Sequence, residues 1–143
     1  MTKRIVAAAC ILVTFLGGCQ SDPTIAGKVI EGNMSFVGAV DDRDPRLEGP
    51  GLEGATITGI ASAGPSEGAT LGSITTDKKG EFKLPVRIQR ALIYPIEFTA
   101  SHPGYLDARQ TMSSPGEGRK LLIMMRPRAS GGGAAGAAGG GGG

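Results

Sequence analysis

The chain has 143 residues and no tryptophan, and 25 of its residues are glycine. This length suits one domain of about a hundred residues and excludes two. The formal net charge is +2, but beyond the first two basic residues, Lys3 and Arg4, thirteen basic residues balance thirteen acidic ones. Such a near-neutral chain lacks the positive field that attracts nucleic acid, so we predict no nucleic-acid partner.

The chain begins with the pattern of an export signal. Lys3 and Arg4 form a basic start, and an apolar run follows over residues 5–16. This run is too short for a membrane-spanning helix, which needs ~20 residues, and it fits the core of a signal peptide. We therefore predict that residues 1–18 are a cleaved signal peptide.

The signal ends in a motif for lipid attachment. Leu16-Gly17-Gly18-Cys19 resembles the bacterial lipobox, in which small residues precede a cysteine that receives lipid and becomes the new N-terminus. The resemblance implies a lipid-modified Cys19 anchored in the cell envelope. Gln20, rather than an aspartate, follows the cysteine, which in Gram-negative lipoproteins implies sorting to the outer membrane. The alternative is an ordinary signal peptide or an uncleaved anchor, in which Cys19 has no role.

A short segment separates the signal from the rest of the chain. Residues 19–33 are predicted to be the lipidated cysteine and a tether, which would reach ~45 Å when fully extended. Residues 24–30 fit a first strand equally well, and the sequence leaves this choice open. The folded domain is predicted over residues 34–128. Because Cys10 lies in the signal peptide, this domain has no disulfide and depends on a hydrophobic core.

Several segments of the predicted domain have the pattern of β-strands. Phe82 and Leu84 share one face of the clearest of them, as period-two alternation requires. Residues 120–125 form a continuous apolar run, which predicts a strand buried on both faces. Residues 86–93 fit either a strand or one turn of helix. The predicted strands cover residues 34–40, 55–62, 71–76, 81–84, 94–100 and 120–125.

One turn is specified by its residue types. The sequence DKKG at residues 77–80 has a side-chain acceptor at the first position and glycine at the fourth, as type I turns prefer. We predict that it joins residues 71–76 to residues 81–84 as a hairpin. Regular turn signals and about seven strands predict an all-β, antiparallel sandwich. Without tryptophan, Phe82 and Phe98 are predicted to be the main anchors of its core.

The chain ends in a low-complexity segment. Residues 131–143 contain only glycine and alanine. They cannot bury enough apolar surface to offset the entropy that glycine loses on ordering, so we predict that residues 129–143 are a disordered tail. The alternatives to a tail without function are a spacer and an adhesive segment.

Three segments together resemble a known family. They are LEGATI at residues 52–57, TTDKKGEF at residues 75–82 and FTASHPGY at residues 98–105. Their order and residue types are similar to the carboxypeptidase regulatory-like domain, over residues 36–127 in all. The resemblance implies a prealbumin-like β-sandwich with an accessory role, because the zinc ligands of the carboxypeptidase lie in a different domain. The chain departs from the family in a longer loop at residues 41–51 and in bulkier residues at 86–93.

Two short segments match the sequence patterns of known functional sites. GPSEG at residues 64–68 matches a nucleophile elbow around Ser66, with Asp77 and His102 following as acid and base. That elbow needs a helix after the serine, and none is predicted. GPGLEG at residues 49–54 matches a dinucleotide fingerprint, but a β-rich segment follows it in place of a helix. We interpret both as surface loops and predict no catalytic residue and no cofactor.

Metal binding has one candidate cluster. Four acidic side chains in the first long loop are of the type that binds Ca²⁺. They are Asp41, Asp42, Asp44 and Glu48. Arg43 and Arg46 lie among them and the spacing matches no EF-hand, so we interpret this segment as a solvated loop. His102 is the only histidine, and it cannot build a zinc site with a lipidated cysteine, so no metal site is predicted.

These expectations describe a non-enzymatic lipoprotein that displays a β-sandwich as a binding or structural module. Its partners are the membrane, through the lipid anchor, and an envelope protein or glycan that binds residues 41–51, residues 63–71 or an exposed edge strand. The alternative is a carbohydrate-binding module. That function needs exposed aromatic rings, and Phe36, Tyr94 and Tyr105 are all predicted to lie in the core.

Overall fold

The structure is a computed structural model, and it describes residues 22–129. Over these residues the chain is all-β, with eight strands and two short 3₁₀ helices. The strands are β1 (Thr24–Glu31), β2 (Phe36–Asp41), β3 (Thr56–Ala61), β4 (Thr70–Thr75), β5 (Glu81–Pro85), β6 (Ile96–Ser101), β7 (Ala108–Met112) and β8 (Arg119–Met125), and the helices are Pro45–Leu47 and Gln89–Ile93. The predicted signal peptide, Cys19, and residues 130–143 of the predicted tail lie outside the described residues.

The eight strands form two four-stranded sheets. The first sheet has the order β2-β8-β1-β5, and the second has the order β4-β3-β6-β7. β1 and β8 pair in parallel, and the other paired strands of the described chain are antiparallel. The all-β class is therefore confirmed. The predicted antiparallel arrangement is wrong for one pair, because β1 and β8 enter the sheet from the same end, and the strand count is eight where about seven were predicted.

The segment that the sequence left open between tether and strand is a strand. β1 lies inside the first sheet, between β8 and β5, and its Ile25 and Val29 are buried. The ring of Phe82 fills the space over Gly27, where a Cβ would collide with it. The sandwich therefore includes the residues from Thr24 onward, which lie before the predicted boundary at residue 34.

The predicted hairpin around residues 77–80 is wrong, although the turn itself is present. Asp77 Oδ1 accepts a hydrogen bond from Lys79 N over 2.9 Å, and Gly80 has a φ of +73°. However, β4 pairs with β3 and β5 pairs with β1, so the turn passes from one sheet to the other. The reason is a contact outside the turn: Val29 N donates to Gly80 O over 2.8 Å and holds the start of β5 against β1.

Three further elements, β7, the helix Gln89–Ile93 and β8, differ in how far their sequence patterns predict their structure and burial. β7 is an edge strand with one buried residue, Ala108, so its sequence lacks the alternation that would have predicted it. Of the two alternatives for residues 86–93, the helical one is correct, since Gln89–Ile93 is a 3₁₀ helix. The centre of β8 is buried on both faces as predicted, since Leu122 and Ile123 have no exposed surface, whereas Met124 on its outer face is only half-buried.

The two sheets enclose one hydrophobic core between their inner faces, as in a β-sandwich. Phe98 is fully buried and Phe82 is 5% exposed, so both predicted anchors lie in this core. The large side chains packed around them include Ile57, Leu71, Leu84, Ile96, Leu121, Ile123 and Met125.

The two ends of the sandwich carry different loops. We call the end where β1 and β8 begin proximal, and the end where they finish distal. The proximal end holds the loops after β3, β5 and β7, and the distal end holds those after β1, β4 and β6. The loop after β2 starts at the proximal end, whereas β3 starts at the distal end. This loop therefore has to cross the surface of the sandwich.

Candidate functional site

The outer face of the first sheet carries an apolar row near the distal end. Phe36, Met124 and Ile30 are direct neighbours across β2, β8 and β1, on the side of the sheet that faces away from the core. Phe36 is 37% exposed, and Met34 in the preceding turn is 54% exposed. We call these four residues the distal patch. Grouped exposure of large apolar side chains is typical of surfaces that bind a partner.

Phe36 was predicted to be a core residue, and that prediction is wrong. Val37 points into the core instead, because alternate residues of a strand face opposite sides of the sheet. The Phe36 ring lies over Gly38, where a Cβ would collide with it. Tyr94 and Tyr105 are half-buried, so Phe36 is the most exposed of the three aromatic candidates. Its ring is therefore held over the backbone of β2 and remains partly exposed.

Lys28 fastens the long loop after β2 across the same face. It lies on the outer side of β1, yet it is only 5% exposed. Its ammonium group donates hydrogen bonds to Leu47 O, over 2.8 Å, and to Gly49 O. Leu122, which lies between Lys28 and Gly38 in the sheet, is fully buried. The centre of this outer face is therefore covered, whereas the distal patch is open.

Replacing Lys28 with methionine is expected to lower the free energy of unfolding by about 1.5–3 kcal/mol, because two loop carbonyls lose a buried, charged donor. The Leu52 amide, which donates to Val29 O over 2.8 Å where this loop meets β1, should also exchange its hydrogen faster. Urea denaturation and amide exchange measure the two effects. Lys83→Met, at an exposed position of β5, is the matched control. Equal losses in the two variants would show that the Lys28 hydrogen bonds contribute nothing.

Two of the four acidic side chains of the same loop, Asp41 and Asp44, accept hydrogen bonds from neighbouring residues. Asp44 forms an ion pair with Arg46, in which Nη2 lies 2.8 Å from Oδ2, and it accepts a further hydrogen bond from the Arg46 backbone N over 2.9 Å. Asp41 accepts one from Arg43 N over 2.9 Å. Among residues 22–129, no three or more histidine, cysteine or acidic side chains are grouped so that they could hold a metal ion.

The Asp44 carboxyl group is expected to titrate well below an ordinary aspartate. The side-chain hydrogen bond from Arg46, followed by the backbone one, lowers the pKa of Asp44 from 3.8 to about 2. A depressed pKa means that the ion pair is complete above the ordinary value and is lost as the pH falls through about 2. NMR of the carboxyl carbon measures this titration.

The two arginines of the loop provide the control for that titration. Arg46→Ala should return the pKa of Asp44 towards 3.8, because it removes the guanidinium group that donates to the carboxylate. Arg43→Ala removes a nearby positive charge but leaves the Arg46 hydrogen bonds in place, and the pKa should stay low. A low pKa in the Arg46→Ala chain would contradict the assignment of the cause.

Ser66, Asp77 and His102, the three residues of the nucleophile-elbow motif, do not form a catalytic site. Ser66 lies in the loop after β3 at the proximal end, whereas Asp77 and His102 lie at the distal end. The length of β4, roughly 20 Å, separates the two ends. His102 Nε2 instead lies 2.9 Å from Glu53 O, and its ring packs edge-on against Tyr105.

The glycine-rich segment at residues 49–54 has a structural role. Gly49 O accepts a hydrogen bond from Lys28, and Gly51 packs so closely against Lys79 of the turn before β5 that a Cβ would collide with its carbonyl. The segment leads into β3, a strand, whereas a dinucleotide site needs a helix at that point.

Tyr105 fixes the distal loops beside the distal patch. Its hydroxyl donates a hydrogen bond to Glu31 Oε2 over 2.6 Å, and this bond raises the pKa of Tyr105 because deprotonation would lose it. Tyr105 also pairs with Pro127 through an isolated β-bridge. The loop after β6 is thereby tied to the ends of both β1 and β8.

Sequence reasoning missed both Lys28 and the exposure of Phe36. A single lysine inside the otherwise apolar stretch at residues 25–30 was the available signal for the first, since a buried lysine needs oxygen partners. The residues around Phe36 carry no such signal, because an apolar alternation does not say which face is outward when apolar residues occupy both.

Comparisons with known proteins add little to this geometry. No family model matches the sequence, and no curated protein matches it. Among solved structures, 3-chlorocatechol 1,2-dioxygenase from Rhodococcus opacus is similar, with a TM-score of 0.42 and 12% sequence identity. The similarity covers 76% of this chain and 61% of that chain, and it carries no inference about function. Within residues 22–129, no helix has the length and apolar character needed to span a bilayer.

Proposed function

We propose that this chain is a lipid-anchored protein of the cell envelope that displays its β-sandwich as a non-enzymatic binding or structural module. The distal patch carries this proposal, because it leaves Phe36 and Met34 exposed at the edge of a sheet whose centre is covered, with half-buried Met124 and Ile30 in the same row as Phe36. The proposal includes a carboxypeptidase regulatory-like domain of prealbumin-like topology, supported by the sequence resemblance at residues 52–57, 75–82 and 98–105.

The proposed anchor is a lipid on Cys19, supported by the lipobox resemblance, and Gln20 supports the outer membrane as its location. Because β1 begins at Thr24, the link from Cys19 to the domain reaches at most ~18 Å, far less than the ~45 Å of the predicted tether. The sandwich is then held close to the membrane by its proximal end. The distal patch faces away from the lipid, towards a partner.

Cys19→Ser is expected to abolish the incorporation of labelled palmitate and to move the protein out of the membrane fraction, because serine lacks the thiol to which the lipid is attached. Growth with labelled palmitate, followed by cell fractionation, measures both effects. Cys10→Ser is the matched control, since this residue would leave with the signal peptide. Label that persists in the Cys19→Ser chain would overturn the proposed anchor.

A carbohydrate-binding module is the second candidate, and the exposed ring of Phe36 favours it. A ring held against a strand offers the flat surface on which a sugar can stack. Met124 is the cross-strand neighbour of Phe36 and Met34 is exposed two residues before it, and methionine adapts its flexible side chain to irregular protein surfaces. We therefore place a protein partner first and a glycan second.

A photo-activated cross-linking residue in place of Phe36, in the full chain expressed in its own host, distinguishes these candidates. Capture of one reproducible envelope protein is the expected result, and capture of glycan fragments alone would move the carbohydrate function ahead. Gln110, exposed on edge strand β7, is the matched control position. No capture at Phe36, or equal capture at both positions, would remove the distal patch as the binding surface.

A further inference from the structure

The loop after β5 presents an apolar and basic surface at the proximal end. Ile93 is 79% exposed, more than the other large hydrophobic residues of the described chain. Arg87 and Arg90 are exposed in the same loop. No acidic residue lies between Glu81 and Glu97, so the loop carries positive charge only.

This loop is packed, and Ile93 is held outward by a fixed structure. Gln89–Ile93 forms a 3₁₀ helix in which Ala91 is buried. Ile88 and Leu92 pack against the hydrophobic core. Because its apolar neighbours in the same short helix are turned inward, the exposure of Ile93 does not come from an unpacked segment. The fold places this side chain at the surface.

The loop also lies next to the point where the chain continues towards Cys19. Val86 N, at the start of the loop, donates a hydrogen bond to Pro23 O over 2.9 Å. Cys19 lies four residues before Pro23 and is therefore at most ~14 Å away from it. This step rests on the proposed function, because it is the lipid on Cys19 that brings the proximal end to a bilayer.

We propose that the loop after β5 is a membrane-contact surface that docks on anionic lipid head groups. Ile93 enters the boundary between head groups and acyl chains, and the two arginines bind lipid phosphates, as basic and apolar interfacial surfaces do. The other proximal loops, after β3 and β7, each carry one glutamate, Glu67 and Glu117. Anionic lipid therefore attracts the loop after β5 in preference to its neighbours. The lipid on Cys19 attaches the protein, and this loop sets its orientation.

The absence of tryptophan allows a direct test of this contact. The Ile93→Trp chain, purified with its lipid and reconstituted into vesicles of phosphatidylcholine and phosphatidylglycerol, should lose most of its emission when the phosphatidylcholine carries bromine atoms on its acyl chains. Met34→Trp, at an exposed position of the distal end, is the matched control and should keep its emission. Unquenched emission from the Ile93→Trp chain, or equal quenching of both chains, would overturn the proposal.

A charge reversal tests the lipid chemistry. In the Ile93→Trp chain, Arg87→Glu with Arg90→Glu should reduce the quenching on vesicles that contain phosphatidylglycerol and change it little on pure phosphatidylcholine. Arg126→Glu with Arg128→Glu removes two exposed arginines of the distal end and should leave the quenching unchanged. Equal effects of the two pairs would overturn the assignment of the arginines.

The mass of the purified chain separates this proposal from the proposed function. A chain without acyl groups would refute the lipid anchor but would not decide the role of the loop. In that event the loop is tested in the Cys10→Ala chain, whose remaining thiol, Cys19, is coupled to a maleimide lipid in the same vesicles. Quenching at Ile93 but not at Met34 would then support the contact surface, and its absence would overturn it.

Discussion

Replacing Phe98 with alanine is expected to lower the free energy of unfolding by about 3–5 kcal/mol, because a large buried side chain is removed and a cavity remains. Phe98 has no exposed surface, and it lies on β6 opposite Gly59 of β3, in the inner part of the second sheet. The described chain has neither a tryptophan nor a disulfide to compensate for this loss. Urea denaturation followed by circular dichroism measures the effect.

Phe36→Ala is the matched control, because it removes the same atoms from a side chain that is 37% exposed. We expect this variant to lose about 1 kcal/mol or less, as surface substitutions do. If the Phe98→Ala chain does not fold, Phe98→Leu offers a milder change, with an expected loss of about 1–2 kcal/mol. Equal losses for Phe98 and Phe36 would mean that Phe98 is not the anchor of the core.

Replacing Gly80 with alanine is expected to lower the free energy of unfolding by about 3 kcal/mol. Alanine in the left-handed backbone conformation of Gly80 costs about 1–2 kcal/mol, and each hydrogen bond that is weakened costs about 0.5–1.5 kcal/mol. Gly80 has a φ of +73°, and a Cβ there would collide with Val29 O and come within 2.5 Å of Leu52 N. These atoms belong to two hydrogen bonds of 2.8 Å, Val29 N to Gly80 O and Leu52 N to Val29 O. The added methyl group would therefore separate three segments at once.

Gly68→Ala is the matched control, because it measures the cost of the left-handed backbone conformation without any collision of the added methyl group. Gly68 has a φ of +82°, close to that of Gly80, but a Cβ there would meet nothing within 4 Å. Its expected loss is the conformational strain alone, about 1–2 kcal/mol. Chemical denaturation of the two variants, together with the exchange rate of the Leu52 amide, gives the difference. Equal losses would mean that the close packing around Gly80 adds nothing to stability.

Predictions from local residue patterns succeeded where the burial of a strand is written directly into its own apolar pattern. The alternation around Phe82 and Phe98 placed β5 and β6 correctly, and the apolar run at residues 120–125 placed β8 as a strand buried on both faces. The turn at residues 77–80 was also correct, because its aspartate and glycine act within the turn itself. In each case, neighbouring residues carry the whole signal.

The candidate site was less accessible to this reasoning. Lys28 is buried because carbonyl groups of Leu47 and Gly49, about twenty residues further along the chain, accept its hydrogen bonds. The exposure of Phe36 depends on which face of β2 meets the core, and that is set by pairing with β8. The residues next to Lys28 and Phe36 in the sequence indicate neither the carbonyl groups that Lys28 binds nor the strand with which β2 pairs.

Most of the strand-forming segments, the Asp77 turn and the lipobox resemblance can be read from the printed residues, because short-range sterics, turn chemistry and apolar alternation are local. The assignment of β1 to the sheet, the separation of β4 from β5 and the opening of the distal patch required the folded chain. These features depend on pairing between segments far apart in sequence, such as β1 with β8, and on hydrogen bonds such as that from Val29 to Gly80. Such contacts select one arrangement among several that satisfy the same local patterns, so they become visible only when the whole domain is packed.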